Sequence, residues 1–180
     1  MILFEKLLTN VAKKPKFVHF EDREFEKYCL AKYDKDGDGK ISIEEANKVV
    51  RIDRSLFAIS TDNFSDLRNF NYANDFPNMY YEQEVLKKIK RIEFGTNLTN
   101  LGANMLGFTT KVVVVFHGKT PPKHRWSFSN NSGTYDTISR SGSKIYVPDE
   151  SVEDYKKAFT SQPYGMHSSD IILPMSELNK

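Results

Sequence analysis

The sequence predicts an α+β protein with a helical N-terminal part and a second half rich in β-strands. Apolar residues recur at helical spacing on both sides of an acidic, glycine-containing stretch at residues 34–45. After Leu86, short apolar runs recur about every 20–25 residues, as they do in repeat proteins. We therefore divide the chain into a helical region at residues 1–53, an irregular connector at residues 54–85 and a repeat region at residues 86–180.

The acidic stretch at residues 34–45 carries the strongest functional pattern in the chain. It fits the twelve-residue EF-hand calcium loop, because a hard cation such as Ca²⁺ takes six to eight oxygen ligands at about 2.3–2.6 Å. Carboxylates are expected at the first, third, fifth and twelfth positions, a backbone carbonyl at the seventh, and a hydroxyl or bridging water at the ninth. The predicted calcium ligands are therefore Asp34, Asp36, Asp38, Lys40, Ser42 and Glu45.

Two further loop positions and the flanking helices agree with this interpretation. Gly39 permits a sharp turn that a Cβ would penalise, and Ile41 is expected to face a core. The alternative is a solvated acidic turn, since Asp-Gly pairs are common in turns. Helical spacing on both sides favours the calcium loop: Phe25, Tyr28, Cys29 and Tyr33 precede it, and Ala46, Val49 and Val50 follow it.

The sequence contains one such loop, whereas the EF-hands of calcium sensors occur in pairs. No second Asp-x-Asp-x-Asp-Gly pattern is present in the 180 residues. This argues against a calmodulin-like switch. It also argues against a dockerin, which would repeat a related loop and usually end it with Asp, whereas Glu45 stands here.

The apolar runs of the second half predict strands. Residues 86–94 and 112–116 are separated by a corner that contains Leu, Gly and Asn, which is typical of a leucine-rich repeat with parallel neighbouring strands. The run at 112–116 is short and rich in β-branched residues, which favours a buried strand over a buried helix. We expect a short, degenerate leucine-rich-repeat region, β-solenoid-like in form, that ends with a strand, a helix and a last strand.

Local patterns predict the remaining segments. A Ser151 and Asp154 capping box is expected to open the terminal helix, whose Val152, Tyr155 and Phe159 share one face. The last strand is expected at residues 171–173. Four other expectations are an amphipathic helix at residues 2–11, a strand-like lead-in at 17–20, an extended segment at 52–59, and a mobile polar excursion at 123–143.

Several classes of function are disfavoured. The net charge of +2 and the absence of a nucleic-acid-binding motif give no reason to expect nucleic-acid binding, and no apolar run reaches the roughly 18 residues of a membrane span. Cys29 is expected to be a buried, inert thiol. The sequence also lacks a glycine-rich phosphate loop, a Gly-x-Ser-x-Gly motif and any metal-ligand spacing of histidines, so we expect no enzyme, no catalytic residues and no cofactor besides Ca²⁺.

Two stretches resemble the BspA-like leucine-rich-repeat surface proteins of gut bacteria. The first runs from Val18 through the calcium loop to Asp53. The second comprises residues 89–115, 118–122, 145–148 and 152–156. The resemblance implies a secreted or surface-exposed recognition protein with an unknown protein or glycan ligand. The alternative is an intracellular calcium-responsive regulatory protein, which the lack of a recognisable export signal after Met1 favours.

Overall fold

A computed structural model describes residues 16–77, 79, 83–102, 105–124, 138, 141–160 and 168–180. The helix expected at residues 2–11 and most of the polar excursion expected at 123–143 lie outside the described residues. Helices and strands alternate irregularly along the chain. The α-helices are α1 (Arg23–Tyr33), α2 (Ile43–Lys48), α3 (Gln83–Leu86) and α4 (Val152–Thr160). Short 3-10 helices lie at Arg54–Ala58, Ser65–Asn69, Asp149–Ser151 and Met175–Glu177.

The β-strands form two parallel sheets. The strands are β1 (Asn63–Phe64), β2 (Arg91–Phe94), β3 (Asn100–Leu101), β4 (Val113–Phe116), β5 (Lys123–His124), β6 (Lys144–Val147) and β7 (Ile172–Pro174). The larger sheet has the order β1-β2-β4-β6-β7, and β3 pairs with β5 in the smaller one. All of these pairs are parallel. The predictions of a mixed α+β protein and of parallel neighbouring strands are therefore confirmed.

Aromatic side chains on the inner face of the larger sheet stack from strand to strand. Phe94 and Phe116 face each other across β2 and β4 with ring centroids 5.0 Å apart and ring planes at 16°. Phe116 also contacts Tyr155 and Phe159 of α4, at 5.4 and 5.8 Å between centroids. Helix α4 thus covers one end of this aromatic stack, as the shared face of Tyr155 and Phe159 predicts.

One hydrophobic core joins the helical N-terminal part to the sheet. Phe25 of α1 is fully buried and contacts Phe64 and Phe70, which lie on either side of the 3-10 helix at Ser65–Asn69. Phe64 belongs to β1, so a strand from the predicted connector begins the larger sheet. The helical region, the connector and the repeat region therefore share one core instead of packing separately.

Three local predictions need correction. The segment at 52–59 is a 3-10 helix over Arg54–Ala58 and is not extended, because consecutive Leu56 and Phe57 are both buried. Ser151 does not cap α4; its N–H donates to the carbonyl of Pro148 and a 3-10 turn leads into the helix. The lead-in at residues 17–20 forms an isolated antiparallel bridge, not a regular strand. Within the described residues, no helix is both long enough and apolar enough to cross a membrane.

Candidate metal site

Helix α1 delivers Asp34 to the predicted calcium loop. Asp22 caps the helix, accepting a hydrogen bond of 2.8 Å at Oδ1 from the Phe25 N–H. Phe25 and Cys29, one turn apart, are fully buried and fix the helix against the core. Asp34 is the C-cap residue of the helix. The position of the first predicted ligand is therefore set by a capped and anchored helix.

Helix α2 begins at the other end of the loop through a reciprocal cap. Ser42 is its N-cap: Ser42 Oγ accepts from the Glu45 N–H at 3.1 Å, and Glu45 Oε2 accepts from the Ser42 N–H at 2.9 Å. Glu45 Oε1 also accepts from the Lys35 N–H at 2.7 Å, so this carboxylate closes the end of the loop onto its beginning. Hydrogen bonds from Lys35 and Ser42 lower the pKa of Glu45 to about 2.

The three aspartates of the loop converge. Asp34, Asp36 and Asp38 each offer a carboxylate oxygen, and these oxygens lie within 4.8 Å of one another. Backbone N–H groups hold all three. Gly37 and Gly39 donate to Asp34 at 2.7 and 3.0 Å, Asp38 donates to Asp36 at 3.2 Å, and Lys40 donates to Asp38 at 2.9 Å. The loop turns inward at Gly37 and Gly39, which have φ angles of 74° and 78°.

Of the six predicted ligand residues, three form this converging group. The carboxylate of Glu45 is engaged with Lys35 and Ser42 instead, and the hydroxyl of Ser42 is used in the cap. Lys40 lies in a bend, and its N–H donates to Asp38. What the geometry itself supports is a group of three aspartates that could hold a metal ion.

A lead-in segment packs along the loop from outside the helices. The Val18 N–H donates to the Ile41 carbonyl at 2.8 Å, and the Ile43 N–H donates to the Lys16 carbonyl at 3.0 Å. Lys40 Nζ also lies 4.9 Å from the centre of the Phe17 ring. Ile41 is 1% exposed, which confirms that the eighth loop residue faces the core. The lead-in therefore holds the second half of the loop by antiparallel backbone pairing.

Comparisons with protein-family models, with curated proteins and with solved structures found no match. The function is therefore argued from the residues of this chain. The resemblance to BspA-like surface proteins stays a prediction.

A buried carboxylate that the sequence analysis missed lies between the lead-in and the sheet. Asp66, which is 1% exposed, accepts hydrogen bonds at Oδ2 from the N–H groups of Glu21 and Asp22, both at 2.8 Å. Its Oδ1 is buried and has no hydrogen-bond partner among the described residues. Burial raises the pKa of Asp66, although the two backbone N–H groups oppose the shift. Asp66 stands in a stretch rich in Asn and Asp that is typical of turns, so nothing in the sequence indicates that this carboxylate is buried.

A second missed carboxylate lies on β2. Glu93 is 4% exposed and is paired through both oxygens: Arg91 Nη2 lies 2.7 Å from Oε1, and His117 Nε2 lies 2.8 Å from Oε2. Arg68 Nη1 approaches Oε1 at 3.5 Å. Burial opposes ionisation of Glu93, but the bonds from His117 and Arg91 and the nearby guanidinium charges outweigh it and lower the pKa to about 2. Because both oxygens of Glu93 are engaged, this residue fits a stabilising ion cluster better than a reactive acid.

Cys29 has the character that the sequence predicts. The thiol is fully buried, and burial, with a smaller contribution from the charges of Asp66 and Glu26, raises its pKa. A thiol that stays protonated is a poor nucleophile. The predicted burial of Cys29 is confirmed. Its lack of reactivity stays a prediction.

Proposed function

We propose that the loop at residues 34–45 binds Ca²⁺ and that the ion stabilises a secreted or surface-attached recognition module. The convergence of Asp34, Asp36 and Asp38 carries the proposal. Three carboxylates held this close repel one another, and a divalent cation removes that repulsion while using their oxygens as ligands. Hard oxygen donors favour Ca²⁺ over softer transition metals.

The rest of the loop can complete the coordination in the manner of an EF-hand. Glu45 accepts a hydrogen bond from the N–H of Lys35 at the loop entrance, and in an EF-hand the residue at this twelfth position would supply the bidentate carboxylate. The Ser42 hydroxyl caps α2, so at the ninth loop position Ser42 would reach the cation through a bridging water. Lys40 would contribute its backbone carbonyl.

The packing around the loop supports a structural role for the ion instead of a switch. In a sensor, calcium opens a pair of hands and exposes an apolar groove. Here Ile41, Ala46 and Val49 on the loop and α2 are buried in the same core as the sheet. Opening the hand would expose this core, which costs roughly 1.5–3 kcal/mol for each large side chain. The ion would therefore hold the helix-loop-helix closed.

The parallel strands and their close stacking support the repeat interpretation. Each coil of the chain lies tightly on the next: a Cβ on Gly95 would lie 3.0 Å from the Asn71 Cα, and one on Gly118 would lie 2.8 Å from the Thr96 carbonyl oxygen. Asn71 Oδ1 also accepts hydrogen bonds from Thr96 of the next coil. Stacked coils of this kind present extended surfaces suited to binding an unidentified protein or glycan ligand.

The decisive experiment measures thermal unfolding with Ca²⁺ and with a chelator. At about 100 times its dissociation constant, Ca²⁺ adds about 2.7 kcal/mol, which corresponds to a rise in Tm of about 5–10 °C for a chain of this size. Asp34→Ala and Glu45→Gln remove predicted ligands and should abolish the rise. Glu44→Gln is the matched control, because Glu44 is exposed and pairs with Lys48. An unchanged rise in Asp34→Ala would refute the assigned site.

A hydrophobic dye separates the structural role from the regulatory one. Dye fluorescence should stay flat or fall when Ca²⁺ is added, because the apolar residues of the hand are already buried. A clear increase would show that a groove opens and would favour the intracellular calcium-responsive alternative. Protein and glycan arrays, probed with Ca²⁺ and with a chelator, then identify the ligand.

A further inference from the structure

The lead-in segment at residues 16–22 is fastened at both of its ends. Its first part pairs with the calcium loop through the Val18 N–H and the Lys16 carbonyl. Its last part, at Glu21 and Asp22, donates two backbone N–H groups to Asp66. In between, the His19 carbonyl accepts a longer bond of 3.4 Å from the Asn69 side chain. The segment therefore connects the loop at residues 34–45 with the 3-10 helix at Ser65–Asn69, which follows β1.

We propose that this segment replaces the second hand that the sequence lacks, and that Asp66 is a positioning residue for the calcium site. In paired EF-hands, each loop is steadied by its partner hand. Here the lead-in occupies that place, and Asp66, more than 40 residues away in sequence, holds it there. The inference rests on the proposed calcium binding and names what positions the loop.

The bonding of Asp66 favours a positioning role. One oxygen takes two N–H groups, while the other is buried without a partner among the described residues. A buried, unpaired carboxylate oxygen is costly, so this residue is a poor choice for stability alone. Arg68 offsets part of this cost, because its positive charge interacts with the Asp66 carboxylate. Arg68 also pairs with Glu21 at 2.5 Å. The arrangement holds residues 21–22 in one position at the expense of stability.

Both flanks of the loop depend on this attachment. Asp22 is the N-cap of α1 and Asp34 is its C-cap. Thr61 Oγ1 donates to the second Asp22 oxygen, Oδ2, at 2.6 Å. The lead-in also fixes Ile41 and Ile43 on the far side of the loop. Releasing residues 21–22 would let the lead-in move. Calcium binding would then have to order it again, and this entropic cost weakens the affinity.

The test compares the dissociation constant for Ca²⁺ in three variants by isothermal titration calorimetry. Asp66→Ala removes the oxygen that accepts both N–H groups and should weaken binding about fivefold or more, the range of typical coupling between sites. Asp66→Asn keeps an acceptor for the two N–H groups and should bind within about twofold of the wild type. Asp62→Ala is the matched control, since Asp62 is half-exposed and its side chain pairs with Lys90.

A second readout follows the attachment directly. Hydrogen exchange at the Glu21 and Asp22 amides should be slow in the wild type, slower still with Ca²⁺, and fast in Asp66→Ala. Should Asp66→Ala not fold, Val18→Pro tests the same segment, because it deletes the N–H that bonds to Ile41 and should also weaken Ca²⁺ binding. Calcium affinity within twofold of the wild type in Asp66→Ala, or in Val18→Pro where that variant is used, would overturn the inference. Absence of binding in the wild type would refute the calcium site itself.

Discussion

Replacing Glu93 by Gln should destabilise the protein at neutral pH and leave it nearly unchanged in acid. The pKa of Glu93 falls from 4.5 to about 2 in the folded protein. A difference of this size corresponds to about 3 kcal/mol of stability, which solvent screening at the partly exposed guanidinium groups reduces to about 2–3 kcal/mol. Glutamine keeps the size of the side chain but carries no charge, so it cannot form an ion pair with Arg91 or Arg68.

The pH dependence has a defined sign. Because the folded pKa of Glu93 lies below its unfolded value, its contribution is fully present above about pH 4.5 and is lost as the pH falls toward 2. The gap in unfolding free energy between the wild type and Glu93→Gln should therefore shrink over this interval. Urea unfolding at a series of pH values, with a chelator present throughout, measures the gap without interference from bound Ca²⁺.

A matched control and a refuting outcome complete this experiment. Glu84 is 82% exposed and pairs with Lys87 at 2.6 Å, so Glu84→Gln should change the free energy of unfolding by less than about 0.5 kcal/mol at every pH. A gap for Glu93→Gln that stays constant between pH 7 and pH 3 would show that the charge of Glu93 does not supply the stability. The loss would then come from packing.

Three other variants or probes test the fold. Phe116→Ala should lower the free energy of unfolding by about 3–5 kcal/mol, because it opens a cavity at the centre of the aromatic stack, and urea unfolding measures this. Gly102→Ala should cost about 1–3 kcal/mol in the same assay, since its Cβ would overlap the carbonyl oxygen of Pro77; a stability equal to that of the wild type would contradict this close packing. Cys29 should react with iodoacetamide only after denaturation, and rapid labelling of the native protein would contradict its burial.

The sequence by itself determined the features that depend on local interactions. The loop at 34–45 turns at two glycines, its aspartates bond to N–H groups a few residues away, and Ser42 and Glu45 form a cap within one helical turn. Each of these contacts joins residues at most ten positions apart, so the residue pattern specifies them. The short apolar runs likewise predicted the strands β2 and β4, because a short run rich in apolar and β-branched residues indicates a buried strand.

Only the tertiary structure decided which distant residues meet. Asp66 bonds to residues 21–22, and Glu93 pairs with His117, because the packing of the whole chain brings these positions together. A strand from the predicted connector joins the sheet for the same reason. A single carboxylate in a sequence carries no sign of whether it will be buried, since its partners are chosen by the packing of the whole chain. Long-range pairing therefore decided how the loop at residues 34–45 is held, whereas local sequence decided that this loop forms.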